Sequence, residues 1–372
     1  MIYLDNAATT PVPAAVADTM YDVLTHHFGN PSSQYPAGQE MKKAVEGWRA
    51  VIAGALHCPP ERLYFTSCGT ESDNWAIQAA IWQGRHTGKH IITTAVEHSA
   101  VLEPCRWLTQ QGYEVTYLKP DRTGHVAVEQ VAGALRDDTV LVSMMLVNNE
   151  TGCIFPVAET AQLLRDRKSH ALLHCDAVQG FLKVPFRART LGADMISVSA
   201  HKIHAAKGAG ALYIRPGLPL PPFLCGGGQE SNYRSGTENM PGICGFGAAC
   251  ADTDAKAEIA HMAHLRDLTR EALAGIDGLV LIGSQQAPHI VNLSLPGLRS
   301  QGIINCLQSE GIYVSAGSAC SKGHRSHVLE AMGLPPAVID GSIRVSFSRD
   351  NTEADVSALC QAFAHAKQTL KG

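Results

Sequence analysis

Cys320 sits in the stretch SAGSACSKGHRSHVLEAMG, residues 315–333, flanked by Ser318, Ser321 and Gly323. Cysteine usually withdraws into a core as a small hydrophobe, and these neighbours make a poor core segment. Lys322 and Arg325 lie close in sequence and favour the thiolate, which is the nucleophilic form. A second reactive candidate is Lys202 in SVSAHKIHAAKGAGALYIR (197–215), where a strand pattern runs out to Ser199, His201 and Lys202 before a glycine-bearing turn. A lysine held in a pocket at a strand end can form a Schiff base once its pKa is depressed. Lys207, beside Gly208 at the start of the next strand, competes for that role but suits a structural one better. Asp176 closes the apolar run ALLHCD (171–176). A carboxylate there needs a partner, because an unpaired buried charge is costly.

Five further segments carry polar groups with a chemical reading. In FTSCGTESDN (65–74), Gly69 and Thr70 put backbone N–H groups and a hydroxyl at a helix start, which suits phosphate. The same letters also read as a capping box with Thr70 or Ser72 as the cap. TAVEHSAV (94–101) puts His98 just past a strand, and NNETG (148–152) puts Asn149 where a plain turn is an equal reading. GGGQESNYRSGTEN (226–239) reads as a loop that crosses a subunit boundary or covers a ligand. In IRVSFSRDNT (343–352), Arg344 either grips a carboxylate bidentately or is an edge-strand charge.

These residues need a scaffold that brings strand ends together. Apolar or β-branched runs at 62–66, 90–96, 114–118, 139–147, 171–176, 194–200 and 210–215 alternate with helical patterns such as Val157–Lys168. Continuous apolar strands separated by helices predict a mostly parallel seven-stranded sheet covered on both faces, with sites at the carboxyl ends. From about Ala251 the texture changes. A polar helix (255–275), VNLSL (291–295), the Cys320 segment, IRVSFS (343–348) and a helix from Thr352 predict a smaller α+β unit. The expected division is a large domain over 15–250 and a small domain made of 1–14 and 251–372.

Composition narrows the function classes. Charged residues make up only 17% of the 372 and the net charge is −4, below the roughly 25% charged of ordinary proteins and contrary to a nucleic-acid binder. The eleven cysteines are odd in number and no pair has CxxC spacing, which speaks against a disulfide framework and a classical zinc site. The histidine pairs 201/204, 261/264 and 324/327 lack nearby carboxylate or cysteine partners, so no metal site is expected. The N-terminus shows no export pattern and the longest apolar run, Val140 to Val147, is too short to span a membrane. A cytoplasmic protein is expected.

Taken together, a phosphate-friendly helix start, a strand-end aspartate and a candidate Schiff-base lysine are what pyridoxal 5'-phosphate requires, and an amino-acid substrate needs the arginine. The sequence resembles the cysteine desulfurases of the NifS/IscS group, within the class-V aminotransferase-like, fold-type I pyridoxal enzymes. The likeness runs through YLDNAATT (3–10), GNPSS (29–33), FTSCGTESDN, EHSAV, NNETG, DAVQ (176–179), SVSAHKIHAAKG, GGGQE (226–230), RSGTEN (234–239), SAGSACS (315–321), SHVLEAMG (326–333) and IRVSFSR (343–349). It implies that Lys202 holds the cofactor, Asp176 pairs with its ring nitrogen, His98 stacks on its ring and Gln179 bonds its phenolic oxygen. It further implies that Gly69, Thr70, Ser199 and His201 hold the phosphate. Thr237 would reach the phosphate of a neighbouring subunit, which implies a homodimer. Arg344 and Asn149 would hold the substrate carboxylate, with Asn6 and Ala7 near the substrate. L-cysteine would become L-alanine, its sulfur passing to Cys320 as a persulfide and then to an acceptor protein for iron–sulfur clusters or tRNA thiolation. Ala206 stands where the family commonly has proline, Ser231 where arginine is common, and five residues separate Cys320 from Ser326. A selenocysteine lyase, a class-V aminotransferase or a catalytically silent scaffold are the alternatives on the same fold.

Overall fold

The computed structural model describes residues 1–316 and 325–371. Its first strand, β1 (Ile2–Tyr3), pairs far along the chain, and the next seven form one sheet. These are β2 (Leu63–Thr66), β3 (His90–Thr94), β4 (Glu114–Leu118), β5 (Thr139–Met145), β6 (Leu172–Asp176), β7 (Met195–Ser199) and β8 (Gly210–Ile214), in the spatial order β2–β8–β7–β6–β5–β3–β4. All seven runs expected from the sequence are there, and the pairs from β7 through β4 are parallel. β8 departs from that pattern, lying antiparallel to both β7 and β2. Since β8 reverses twice, β2 points the same way as β3, β5, β6 and β7, and their carboxyl ends share one edge.

Successive side chains of a strand face opposite ways, and here they enter different cores. Leu63, Phe65, Ile92, Val142, Ile196 and Ala211 join one cluster. Their neighbours Tyr64, Ile91, Leu141, Met195 and Leu212 join another. Both faces are therefore dry, which is why the strands read as continuous apolar runs rather than as alternating ones. The covering helices are α1 (Ala14–Thr25), α2 (Pro36–Leu56), α3 (Gly69–Gly84), α4 (Ser99–Gln110), α5 (Val128–Ala134), α6 (Val157–Asp166), α7 (Ala188–Leu191) and α8 (Met240–Asp252). Helix α3 runs across β5 to β8, and α1 and α2 both pack on α8.

The C-terminal third builds a second core. Helix α9 (Ala255–Leu273) starts at Asp254, whose side chain accepts from Ala257 N–H. Strands β9 (Val280–Ile282), β10 (Ile290–Ser294) and β12 (Ser342–Ser346) form an antiparallel sheet in the order β12–β10–β9. Between β10 and β12 lie α10 (Ser300–Ser309), β11 (Ile312–Tyr313), α11 (His327–Ala331) and α12 (Pro336–Asp340), and α13 (Glu353–Lys371) follows. Strand β1 pairs in parallel with β11, and Leu4 is fully buried beside Val291, Ile343, Leu265 and Phe363. Among the described residues no helix is long and apolar enough to cross a membrane.

The edge strand β2 leads into α3, and one buried ion pair fixes it. Arg49 of α2 bonds both carboxylate oxygens of Glu230 at 2.7 Å and Leu63 O at 2.8 Å, while Phe65 N–H donates to Glu230 Oε2 at 2.7 Å. Removing one partner of a buried pair leaves a charge without compensation. Glu230→Ala is expected to lower stability by about 3–5 kcal/mol, read by chemical denaturation. The double change Arg49→Met with Glu230→Gln should cost less than Glu230→Ala alone.

Candidate active site

The shared edge of the sheet opens into a cavity of about 360 Å³, and the ends of β2, β3, β5, β6 and β7 contribute to its wall. β2 passes through Ser67 and Cys68 into α3, so that Gly69 and Thr70 line the cavity. Cys68 is the N-cap and no side chain caps the helix, which overturns the capping-box reading. The Ser72 hydroxyl instead meets Thr66 Oγ1 at 2.8 Å. A Cβ on Gly69 would stand 2.7 Å from Val178 Cγ2, so only glycine lets α3 begin this close to the loop after β6.

Beyond β3, His98 caps α4, its Nδ1 accepting the Ala100 N–H at 3.2 Å. That bond puts the proton of the neutral ring on Nε2. Beyond β5, the Asn148 side chain builds the turn, its Oδ1 accepting from Glu150 N at 3.0 Å and Thr151 N at 2.9 Å. Asn149 and Glu150 line the cavity as a result. β6 ends at Asp176, whose Oδ1 accepts the Val178 N–H at 2.9 Å. Next along, Gln179 donates to Ala7 O at 2.8 Å. β7 delivers Ser199, His201 and Lys202. Lys202 Nζ donates to Ala7 O and Ala8 O, both at 2.8 Å. From the second core, Arg344 of β12 donates to Asp5 Oδ1 at 2.7 Å and Asn149 O at 2.9 Å.

Three sequence candidates stand elsewhere. Asn6 is buried but does not line the cavity; its amide donates to Ser346 O at 2.9 Å, tying the N-terminal segment to β12. Its amide nitrogen is thus spent on the main chain, while its Oδ1 is buried without a hydrogen-bond partner among the described residues. Thr237 is exposed and outside the cavity of its own chain, as is the competing lysine, Lys207. Cys320 lies outside the described residues. Conversely Ala8, Asp73, Glu150 and His327 line the cavity without having been singled out. All four stand inside motifs quoted above, but Ala8 acts through a carbonyl that no side-chain pattern reports.

Burial dominates the electrostatics. Asp73, Glu97 and Asp176 are buried acids under the cavity, and burial raises all three above the ordinary carboxylate range, with Asp73 also acting on Asp176. His174, between Ser143 Oγ and Ser197 Oγ at 2.9 Å each, is pushed down to about 4 by burial and so offers Asp73 no charge. A cation brought into the cavity beside Asp176 would oppose the rise of its pKa. Ser199 Oγ and Arg344 Nε are buried without a hydrogen-bond partner among the described residues. A cationic ring nitrogen at Asp176, an anion at the α3 start beside Ser199 and an aldehyde at Lys202 would satisfy these groups. The donor set fits pyridoxal 5'-phosphate.

Comparison with known proteins agrees with this geometry. The aminotransferase class-V profile matches residues 2–359. The cysteine desulfurase IscS of Methanosarcina thermophila is 42% identical over 376 residues, covering all of this chain and 93% of the relative. A solved NifS-like protein superposes with a TM-score of 0.93 at 36% identity, covering 99% of this chain and 100% of that one. SspA, solved in complex with cysteine, superposes with a TM-score of 0.83 at 30% identity, over 95% of this chain and 100% of its own. The chain belongs to the class-V aminotransferase family and, within it, groups with the cysteine desulfurases. That family works with pyridoxal phosphate.

Glu97 offers a test of the buried-acid floor. Its Oε1 accepts from Thr94 Oγ1 at 2.7 Å and Met145 N at 3.0 Å, and burial pushes its pKa up to about 8. An acid with a raised folded-state pKa adds stability that is full below its unfolded value of about 4.3. That stability is lost as pH rises towards about 8. Glu97→Gln keeps the accepting oxygen and removes the titration. Between pH 5 and pH 8 the variant is expected to gain stability relative to wild type, by up to about 1.4 kcal/mol per pH unit, in urea unfolding at the two ends of that window.

Proposed function

We propose that this protein is a pyridoxal-dependent cysteine desulfurase that converts L-cysteine to L-alanine and leaves a persulfide on Cys320. The single observation that carries the reading is the convergence of Lys202, Asp176 and Arg344 on one cavity at the carboxyl edge of the sheet. When bound there, pyridoxal phosphate supplies an electron sink that weakens bonds at the substrate Cα and Cβ.

The chain's own residues divide the remaining work. Lys202, held at the site by the Ala7 and Ala8 carbonyls, would carry the cofactor aldehyde and move protons at the substrate Cα. Asp176 would pair with the ring nitrogen, His98 would stack on the ring and Gln179 would bond the phenolic oxygen. The α3 start with Gly69 and Thr70, together with Ser199 and His201, holds phosphate. Arg344 takes the substrate carboxylate next to Asn149, and its position between Asp5 and the Asn149 carbonyl supports this role by fixing the guanidinium plane. In the transfer the substrate C–S bond breaks, an S–S bond to Cys320 forms, and the thiol proton balances the methyl group of alanine.

The rest of the reading concerns assembly. The separate core around Leu4, Val291 and Phe363 supports a division into 15–250 and 1–14 with 251–372. The exposure of Thr237 outside its own cavity supports a homodimer in which this residue serves the neighbour's phosphate. The persulfide passes to an acceptor protein for iron–sulfur cluster assembly or tRNA thiolation. Ten free thiols among the described residues suit a reducing cytoplasm.

Two variants test the assignment. Lys202→Ala should purify without the Schiff-base absorbance, and a normal spectrum would move the attachment to another lysine. Cys320→Ala should keep the cofactor colour and lose catalytic sulfide release from L-cysteine with excess thiol, whereas wild type yields equal sulfide and alanine. Full sulfide release by Cys320→Ala refutes it as acceptor.

A further inference from the structure

L-cysteine enters a site of this kind as a zwitterion, and its ammonium must lose a proton before the nitrogen is a nucleophile. The cavity must hold a base for that proton. Of the imidazoles on its wall, His98 is poorly suited. Its Nδ1 lone pair is spent on the Ala100 N–H and its Nε2 already bears the hydrogen. Protonating it would set two N–H groups against each other and break the α4 cap, and burial already holds its pKa low. His201 is held down at about 4 by burial and by Lys202, Lys207 and Lys183.

His327 differs in geometry. It also lines the cavity, and its Nε2 lies 3.1 Å from the carbonyl of Glu97. A carbonyl only accepts, so Nε2 carries the hydrogen and Nδ1 keeps the lone pair. The residue before it, Ser326, donates to the buried carboxylate of Glu150, which also lines the cavity. Burial raises the Glu150 pKa, while the Ser326 bond and the charges of His327 and Arg344 oppose that rise. Among the described residues, the other charged or titratable groups around the cavity are Cys68, Asp73, His98, Asp176, His201 and Lys202, with Arg344 on the β12 side.

We propose that His327, and not His98, accepts the ammonium proton of incoming L-cysteine on Nδ1 and returns a proton to the amine of departing alanine. The N–H bond of the substrate breaks, the Nδ1–H bond forms, and Glu150 faces the resulting imidazolium. Across the cycle the ring gains and loses one proton, and no other reactant is needed. This rests on the desulfurase reading above.

The test variant is His327→Gln, whose amide can still donate to Glu97 O but holds no basic nitrogen. Cofactor content by absorbance and melting temperature should match wild type. At pH 7, kcat/KM for alanine formation should fall by about 10²–10⁴-fold, the range for a positioned base. That deficit should shrink as pH rises and the substrate amine deprotonates by itself. A merely structural role predicts a deficit that does not change with pH, and that result, or a rate within threefold of wild type, overturns the proposal. His98→Asn keeps an acceptor for Ala100 N–H and should keep the acid limb of the pH profile; loss of that limb in His98→Asn alone also overturns it. Nitrogen-15 imidazole shifts of the protein should show Nδ1 of neutral His327 unprotonated, and a protonated Nδ1 would count against the assignment whether or not cofactor is loaded. Wild-type enzyme that forms no alanine from L-cysteine removes the desulfurase reading itself, a result separable from any behaviour of His327→Gln.

Discussion

The site depends on a short crossing of main chain. Residues 5–10 leave β1 and run over the carboxyl edge of the sheet, and the β6, β7 and β12 sides of the cavity are bonded to them. The Ala7 carbonyl accepts from both Gln179 and Lys202, the Ala8 carbonyl accepts from Lys202, and Asp5 pairs with Arg344. Thr10 donates to His201 O from its backbone N–H and its hydroxyl, and its hydroxyl oxygen accepts from His204 N–H at 2.7 Å. Ala7 N–H donates to Ser346 Oγ at 2.8 Å, so the crossing is fastened to β12 as well. A backbone carbonyl cannot change its rotamer. An amine held by two of them is positioned more firmly than one held by flexible side chains.

This arrangement explains what the sequence could and could not disclose. The seven strands were legible because both faces of the sheet are dry, which writes unbroken apolar runs. The antiparallel course of β8 was not legible, since a five-residue buried strand has the same letters in either direction. Asp176, Ser199 and Lys202 were readable as strand-end residues because their runs end abruptly in polar groups. Arg344 was ambiguous until β12 took its place between β10 and the N-terminal crossing, which makes the guanidinium internal. Asn6 ties the N-terminal segment to β12 through its amide nitrogen, a bond across 340 positions that no local pattern announces. Glu150 and Ser326 are 176 positions apart, and only the tertiary fold brings their hydrogen bond into being.

Charge is sorted across the cavity. The floor holds Asp73, Glu97 and Asp176, all raised by burial. The opposite side holds Lys202 and Arg344, with Lys183 and His289 buried behind them. Burial pushes Lys183 down to about 7 and His289 well below the usual histidine range, and neighbouring cations add to both. Neither Lys183 Nζ nor His289 Nδ1 has a hydrogen-bond partner among the described residues. Asp73 thus discourages ionisation of Asp176, and the neighbouring cations discourage protonation of Lys183 and His289.

Such a pairing of walls favours a guest whose own charges run the opposite way. A ring with a cationic nitrogen towards the floor relieves the acids, because one positive charge makes ionisation of Asp176 favourable. Anionic groups towards α3 and Arg344 relieve the cations, and an amino-acid carboxylate meets that need. At Asp73, Asp176, Ser199 and Arg344 the cost of burial falls on the surface that a ligand would cover, where its relief would contribute to binding. A rearrangement that paired Asp176 with Lys183 inside the protein would give a more stable empty fold and a weaker site. In the fold as it stands, among the described residues, Asp176 accepts only the Val178 N–H and Lys183 Nζ has no hydrogen-bond partner.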